Sequence, residues 1–171
     1  LRDLIEPSGG SVESLAGVNR LRSYTSYAMT KFAYDPALAP GTGEKFPLGV
    51  VTPMNKTNEW WNMDWLHRES MFLPRYDEKE NLVVKGHALA AEAGVAHINR
   101  RLMHAPDGYG EDQNYDFVGY FEFAEEHAHT FRAVMSGLRD TAQNPEWSYV
   151  SEGPEWWGRR VGRAVDFLQA S

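Results

Sequence analysis

The clearest pattern of apolar and polar positions lies in the second half of the chain. Residues 125–140 have apolar side chains at the spacing of one helix face, at Phe131, Val134, Met135 and Leu138. Residues 98–104 alternate between two faces, and residues 115–123 place Phe or Gly at every second position from Phe117 to Phe123. The pattern predicts two neighbouring strands followed by an amphipathic helix.

The other segments give weaker predictions, and residues 21–34 fit a helix as well as a strand. The sequence predicts, in chain order, a loose arm (1–18), a loop (35–47), a buried strand (48–54), a helix capped by Asp64 and ending near Phe72, a surface loop (75–79), an alanine-rich helix (86–97), a loop (105–114), a short strand (147–151) and a polar helix (159–169). This order predicts an α+β fold with an antiparallel sheet.

Composition and charge exclude several classes of protein. A chain of 171 residues fits one domain or two small fused halves. It carries 24 acidic and 17 basic side chains, which give a net charge of −7. The basic pairs Arg100-Arg101 and Arg159-Arg160 are too short to form a nucleic-acid surface. No apolar run is long enough to span a membrane.

The motif inventory excludes further chemistry. The chain has no cysteine, so it has no disulfide, thiolate metal site, iron–sulfur cluster or cysteine nucleophile. Glycine-rich nucleotide loops, HExxH and GxSxG are absent as well. Glu126 and His129 form one ExxH pair, and His127 adds an HxH pair. A di-iron bundle needs more such ligands, so we interpret these residues as solvated polar positions at a helix start.

Two residues stand out for chemistry. Arg100 lies between apolar residues on one strand face, where a charge needs a partner or an anionic ligand; the alternative is an Arg that reaches solvent or pairs with a buried Glu. His87 follows Gly86 at the start of a helix of small residues, which leaves room for a flat ligand; the alternative is a capping or core His. The Trp60-Trp61 pair also favours a pocket for a flat or large group.

Three motifs in this order resemble the chlorite dismutase family of haem b enzymes. The motifs are Asn58-Glu59-Trp60-Trp61-Asn62-Met63, then Gly86-His87 followed after eleven residues by Asn99-Arg100-Arg101-Leu102 and His104, then Asp116-Phe117-Val118-Gly119-Tyr120-Phe121-Glu122-Phe123 before the long helix. The resemblance covers residues 48 to about 152. The short chain is similar to the compact branch of the family.

The resemblance implies a fold and a site. The fold is ferredoxin-like α+β of the dimeric α/β-barrel type, with a truncated N-terminal half (1–62) and a haem-binding C-terminal half (63–171). The cofactor is haem b, with His87 as the iron ligand and Arg100 as the distal catalytic arginine. The resemblance assigns the rest of the haem pocket to Trp60, Trp61, Leu102, Gly119 and Phe121.

The implied function is an oxidoreductase-type enzyme for chlorite detoxification that converts chlorite to chloride and dioxygen. Arg100 would attract the anion and hold hypochlorite until dioxygen forms. The implied partners are chlorite or another small anion and a second copy of the chain, with a homopentamer as the alternative. We expect a periplasmic location from the non-Met start, with the cytoplasm as the alternative.

Two departures from the family pattern leave alternatives open. Where relatives carry a Glu that accepts a hydrogen bond from the iron-binding His, this chain has Ala142 or Gln143, with Glu146 a few residues on. A Gln143 acceptor predicts an iron that is easier to reduce. The stretch around residues 74–81 is longer than the family pattern and suggests a surface insertion.

The alternatives to this function share the fold. A coprohaem decarboxylase is one, although such relatives generally lack the distal Arg that Arg100 supplies. A non-enzymatic haem-binding protein is another, suggested by the missing Glu. In a haem-free ferredoxin-like dimer, His87 and Arg100 would be structural only.

Overall fold

The main sheet of the computed structural model holds six antiparallel strands among the residues that the structure describes, which are 7, 9, 17–19, 22, 25–37, 39, 42–105, 115–163 and 166. The strands of the described residues are β1 (Val18–Asn19), β2 (Leu48–Lys56), β3 (Arg75–Tyr76), β4 (Leu82–Val84), β5 (Ile98–His104), β6 (Phe117–Phe123), β7 (Val150–Glu152) and β8 (Trp156–Arg159). The main sheet has the order β1-β5-β6-β2-β7, with β8 also paired to β2, while β3 and β4 form a separate hairpin. The α+β fold with an antiparallel sheet is confirmed.

Short helices connect the strands, and one long helix covers the sheet. The helices of the described residues are α1 (Thr42–Lys45), α2 (Asn58–Asn62), α3 (Trp65–Ser70), α4 (Gly86–Ala90) and α5 (Ala128–Arg139), with a π-helix (Met29–Tyr34) and 3₁₀ turns at Glu92–Gly94, Glu125–His127 and Pro145–Tyr149. The predicted cap is confirmed: Asp64 Oδ1 accepts from the backbone N–H of Leu66 at 3.0 Å.

The core lies where α5 packs on the sheet. The four apolar residues that predict this helix are all buried, and they contact Val50, Ile98, Phe121 and Phe123 from the strands. The rings of Phe123 and Phe131 stack with centroids 5.1 Å apart. The predicted strands at residues 48–54 and 98–104 are also confirmed, so the inner sheet face is built as its alternation indicates.

Two predicted elements differ from the structure. The helix predicted over residues 86–97 ends at Ala90, because the chain must turn into β5; a Cβ on Gly94 would lie 3.1 Å from the Ile98 side chain. The strand predicted at residues 147–151 begins only at Val150. Pro145 favours a helical first turn there, and residues 145–149 form a 3₁₀ helix.

The remaining segments were predicted only coarsely. Residues 75–79 are exposed as predicted, but they belong to the β3–β4 hairpin. Arg159, the predicted start of the terminal helix, ends strand β8, and residues 160–163 are not helical. Residues 164, 165 and 167–169 lie outside the described residues. The arm (1–18) and the loop (105–114) lie largely outside them too.

Strand β2 occupies the centre of the sheet. It belongs to the predicted N-terminal half but pairs with β6, β7 and β8 of the predicted C-terminal half. The division at residue 62 stays a prediction. No helix in the described part of the chain is long and apolar enough to cross a lipid bilayer.

Candidate functional site

A cavity is lined by the inner face of the sheet and by helices α2, α3, α4 and α5. It brings together six of the residues predicted for the site: His87, Arg100, Trp60, Trp61, Leu102 and Phe121. Gly119 lies in the same wall, since it is the register partner of both Thr52 and Leu102.

His87 enters this cavity from the first turn of α4. Gly86 before it has a φ of 62°, and a Cβ there would lie 2.5 Å from the Leu73 carbonyl oxygen. Only glycine fits that backbone conformation and that close approach without strain. The Gly86 N–H donates to the Gln143 carbonyl at 2.9 Å, which ties the start of α4 to the turn after α5.

The partner of His87 is Glu146, so the prediction of a neutral Gln143 acceptor is wrong. His87 Nδ1 lies 3.2 Å from Glu146 Oε2, and both side chains are buried. Gln143 supplies only its backbone carbonyl, because residues 140–144 form the turn that ends α5. The missing carboxylate that suggested a non-enzymatic haem carrier is therefore present.

Lys56 completes a buried chain of charged groups that sequence reasoning missed. Its ammonium donates to Glu146 Oε1 and also reaches the Glu146 carbonyl oxygen at 3.3 Å. The alternation of side chains along the strand could have identified Lys56. It lies an even number of residues from Val50, Thr52 and Met54, so its side chain shares their inward face. The strand prediction stopped at residue 54 and left it out.

Burial and hydrogen bonding together set the protonation states of His87 and Glu146. Burial lowers the pKa of His87, although the hydrogen bond to Glu146 opposes the shift. Burial would raise the pKa of Glu146, but the His87 hydrogen bond and the Lys56 charge outweigh it and hold that pKa at about 2. A neutral imidazole that donates from Nδ1 to a carboxylate keeps its lone pair on Nε2, the arrangement of a metal-ligating His.

The part of the cavity that the sheet forms depends on strand register, and it is called the Arg100 wall below. Arg100 pairs with Phe121 across β5 and β6, and both residues line the cavity. The Arg100 guanidinium carbon lies 5.8 Å from the ring centroids of Tyr34 and Phe121. The buried Thr52 hydroxyl lines the same wall and has no hydrogen-bond partner within the described residues. The wall therefore offers one cation and one hydroxyl among apolar groups.

The two tryptophans have different surroundings. Trp60 is buried with the Lys56 ammonium 4.2 Å from its ring centroid. Trp61 stacks on Phe117 at 6.1 Å, and its indole N–H donates to Asp116 Oδ2 at 3.4 Å. Asp116 also accepts from the Lys56 backbone N–H at 2.7 Å, which links the Trp61 wall to the charged chain.

The donor set fits a haem. A neutral, carboxylate-bonded His87 can ligate iron through Nε2, and the apolar walls suit a porphyrin ring. The buried Thr52 hydroxyl, which has no partner among the described residues, is available to a bound ligand. The ExxH and HxH pairs lie elsewhere, since Glu126, His127 and His129 do not line this cavity. His127 stacks on His97 with ring centroids 4.1 Å apart. The described residues hold no cluster of three or more His, Asp or Glu side chains placed for a metal ion.

Comparisons with known proteins give structural matches only. No protein-family model and no curated protein sequence matches the chain. A dimeric chlorite dismutase from Nitrobacter winogradskyi superimposes with a TM-score of 0.62 and 26% identity, over 85% of this chain and 76% of that one. A chlorite dismutase from Candidatus Nitrospira defluvii in complex with imidazole has a TM-score of 0.61 and 20% identity, over 90% of this chain.

The matches cover most of this chain, but they cover different shares of the two relatives. This chain spans 56% of the Nitrospira chain, so that protein's activity is not transferred with its fold. The Nitrobacter chain is covered more fully and shares more sequence. In structure, the chain is similar to these chlorite dismutases and shares their fold.

Proposed function

We propose that this protein binds haem b and converts chlorite to chloride and dioxygen. One observation carries the proposal: a single cavity is lined both by the carboxylate-bonded His87 of α4 and by Arg100 of β5. The likeness to two chlorite dismutases supports it.

The reaction balances without outside electrons or protons. Chlorite splits into chloride and dioxygen as chlorine gains the electrons that the two oxygens lose. Bound haem would supply the redox and Lewis-acid chemistry for that exchange. His87 would hold the iron through Nε2, and the Glu146 carboxylate would fix the ring orientation and make the imidazole a stronger donor.

Arg100 would bind the anion. The protein as a whole repels anions at a net charge of −7, so a cation is needed where chlorite enters. Leu102 and Phe121 beside it are buried, and their apolar surroundings strengthen the attraction between guanidinium and anion. A planar guanidinium can face two oxygens at once, which keeps the chlorine-containing fragment in place until the O–O bond forms.

Oxygen evolution tests the proposal. Haem-loaded protein should release dioxygen and chloride when chlorite is added, measured with an oxygen electrode and a chloride electrode. Arg100→Ala should keep the haem spectrum, lose at least tenfold in turnover and leak hypochlorite to a trap. Arg100→Lys should recover part of the rate, because an ammonium keeps the charge but lacks the planar fork.

Arg101→Ala is the matched control. Arg101 is the next residue on the same strand, but its guanidinium donates to the Ala37 carbonyl at 3.4 Å and does not line the cavity. Its turnover should equal that of the wild type. An Arg100→Ala protein that evolves oxygen at the wild-type rate without a leak would remove Arg100 from the reaction.

The iron ligand needs a separate test. His87→Ala should bind haem far more weakly and lose the wild-type ferric spectrum, because the cavity wall then offers no imidazole. Unchanged affinity and spectrum would reject His87 as the ligand. The homodimer and the periplasmic location stay predictions, to be measured by light scattering and by cell fractionation.

A further inference from the structure

Two guanidinium groups line the cavity and have no part in the reaction described above. Arg22 comes from the N-terminal segment, and its guanidinium carbon lies 5.4 Å from the Phe117 ring centroid and 5.7 Å from that of Phe72. Arg68 comes from α3, and its guanidinium carbon lies 5.6 Å from the Trp61 ring centroid. Both side chains are half-buried.

Neither guanidinium forms an ion pair within the described part of the chain. Of the carboxylates that line the cavity, Glu146 is bonded to Lys56 and His87, and Glu69 lies beyond ion-pair distance of both arginines. By contrast, Arg139 and Arg160 bind carboxylates at 2.6 and 2.8 Å. A half-buried cation over an aromatic ring is stabilised further by an anion that reaches it from the cavity.

The two guanidiniums belong to one side of the cavity. Trp61, beneath Arg68, and Phe117, beneath Arg22, stack on each other with centroids 6.1 Å apart and ring planes 18° apart. The stack therefore places two cations near neighbouring rings, while Met135 and Leu138 offer apolar surface elsewhere in the cavity. A ligand that suits this arrangement is flat and largely apolar, with two carboxylates on one edge.

We propose that Arg22 and Arg68 bind the two propionate carboxylates of the haem, a subsite that rests on the proposed function. Arginine binds carboxylates through parallel N–H···O bonds, so two arginines can hold both propionates and fix the rotation of the ring. The arrangement leaves Arg100 for the substrate. It also attaches the N-terminal segment that carries Arg22 to the cofactor.

Haemin and its dimethyl ester separate this charge contact from iron ligation. The two compounds share the ring and the iron, but the ester has no carboxylates. Titration of the cofactor-free protein, followed by Soret absorbance and Trp fluorescence, should show roughly hundredfold tighter binding of haemin, about tenfold from each arginine. Arg22→Met and Arg68→Met should each weaken haemin binding about tenfold, and the double variant should bind both compounds equally.

Arg132→Met is the matched control, since its guanidinium lies 4.6 Å from the Trp157 ring centroid and does not line this cavity. It should keep the full preference for haemin. Arg→Lys variants at positions 22 and 68 should keep part of that preference. If the Met variants fail to fold, the salt dependence of binding to the wild-type protein tests the charge contact instead. The affinity for haemin should fall as the ionic strength rises, while the affinity for the ester should stay constant.

The outcomes are distinguishable. A double variant that keeps the wild-type preference for haemin overturns the subsite, while the proposed function stands because haem still binds. Wild-type protein that binds neither compound overturns both. Both arginines could also bind a small anion, so the KM for chlorite of the Arg22 and Arg68 variants is measured as well. A raised KM for chlorite with unchanged haemin affinity would make them a substrate site and overturn the propionate assignment.

Discussion

The two walls of the cavity are held together by different forces. The His87 wall depends on polar groups far apart in sequence: Glu146 bonds His87 and Lys56, and Gly86 bonds the turn after α5. The Arg100 wall depends on strand register and apolar side chains, with Gly119 between Thr52 and Leu102. Loss of one charge or one backbone contact should therefore destabilise the His87 wall strongly. In the Arg100 wall, side chains can move to accommodate a substitution, so the loss of stability should be smaller.

The largest expected effect is on the buried charges. Glu146→Gln leaves the Lys56 ammonium buried without its carboxylate and should lower the free energy of unfolding by about 3–5 kcal/mol. Urea denaturation of the cofactor-free protein measures the loss. Glu152→Gln is the control, because Glu152 pairs with Arg139 at the surface, where such a pair contributes less than about 1 kcal/mol. Equal losses in the two variants would contradict the difference between buried and exposed pairs.

Acid should weaken the same wall in the wild-type protein. Folding lowers the pKa of Glu146 from 4.5 to about 2, so its stabilisation is complete above pH 4.5 and is lost as the pH falls toward 2. That loss is on the order of 3 kcal/mol. Burial also lowers the pKa of His87, so the unfolded chain takes up that proton first and stability starts to fall below pH 6.5.

Urea denaturation at several pH values between 7 and 3 measures this dependence. Glu146→Gln removes the titrating carboxylate and should flatten the part of the curve below pH 4.5. A variant curve parallel to that of the wild type would show that other carboxylates cause the acid loss.

The sequence predicts the Arg100 wall better than the His87 wall for a physical reason. Alternation along a strand sets which side chains share a face, and register follows from neighbouring strands, so Arg100, Leu102 and Phe121 lie together as predicted. Gly86 and His87 also begin a helix as predicted. The assignment of these residues to haem and chlorite stays a prediction.

The partner of His87 could not be fixed from the sequence. Which residue reaches Nδ1 depends on how the chain turns between α5 and β7, and a 3₁₀ helix there brings Glu146 into the cavity and leaves Gln143 at the turn. Lys56 and Arg22 come from distant segments, and only the folded chain places them beside the same pocket. Strand parity puts Lys56 on the inward face of β2, but it does not show which side chains of other segments Lys56 contacts.

Gly86→Ala tests the backbone contact of the His87 wall. A Cβ would lie 2.5 Å from the Leu73 carbonyl oxygen and 2.8 Å from that of Phe72, and φ is positive. We expect a loss of about 2–3 kcal/mol in the free energy of unfolding and weaker haem binding, because α4 must shift and carry His87 with it. Gly158→Ala, with no atom within 4 Å of its Cβ, should cost less than about 1 kcal/mol.

The smallest expected effect concerns Gly119 in the Arg100 wall. Its added Cβ would lie 2.6 Å from Thr52 Oγ1, a side-chain atom, and 3.0 Å from the Phe121 ring. Gly119→Ala should therefore cost about 1–2 kcal/mol, and Thr52→Ala should restore much of that loss by removing the hydroxyl. No second substitution can relieve the clash at Gly86 in this way, because backbone carbonyls cause it. A double variant no more stable than Gly119→Ala alone would show that the Arg100 wall is as rigid as the His87 wall.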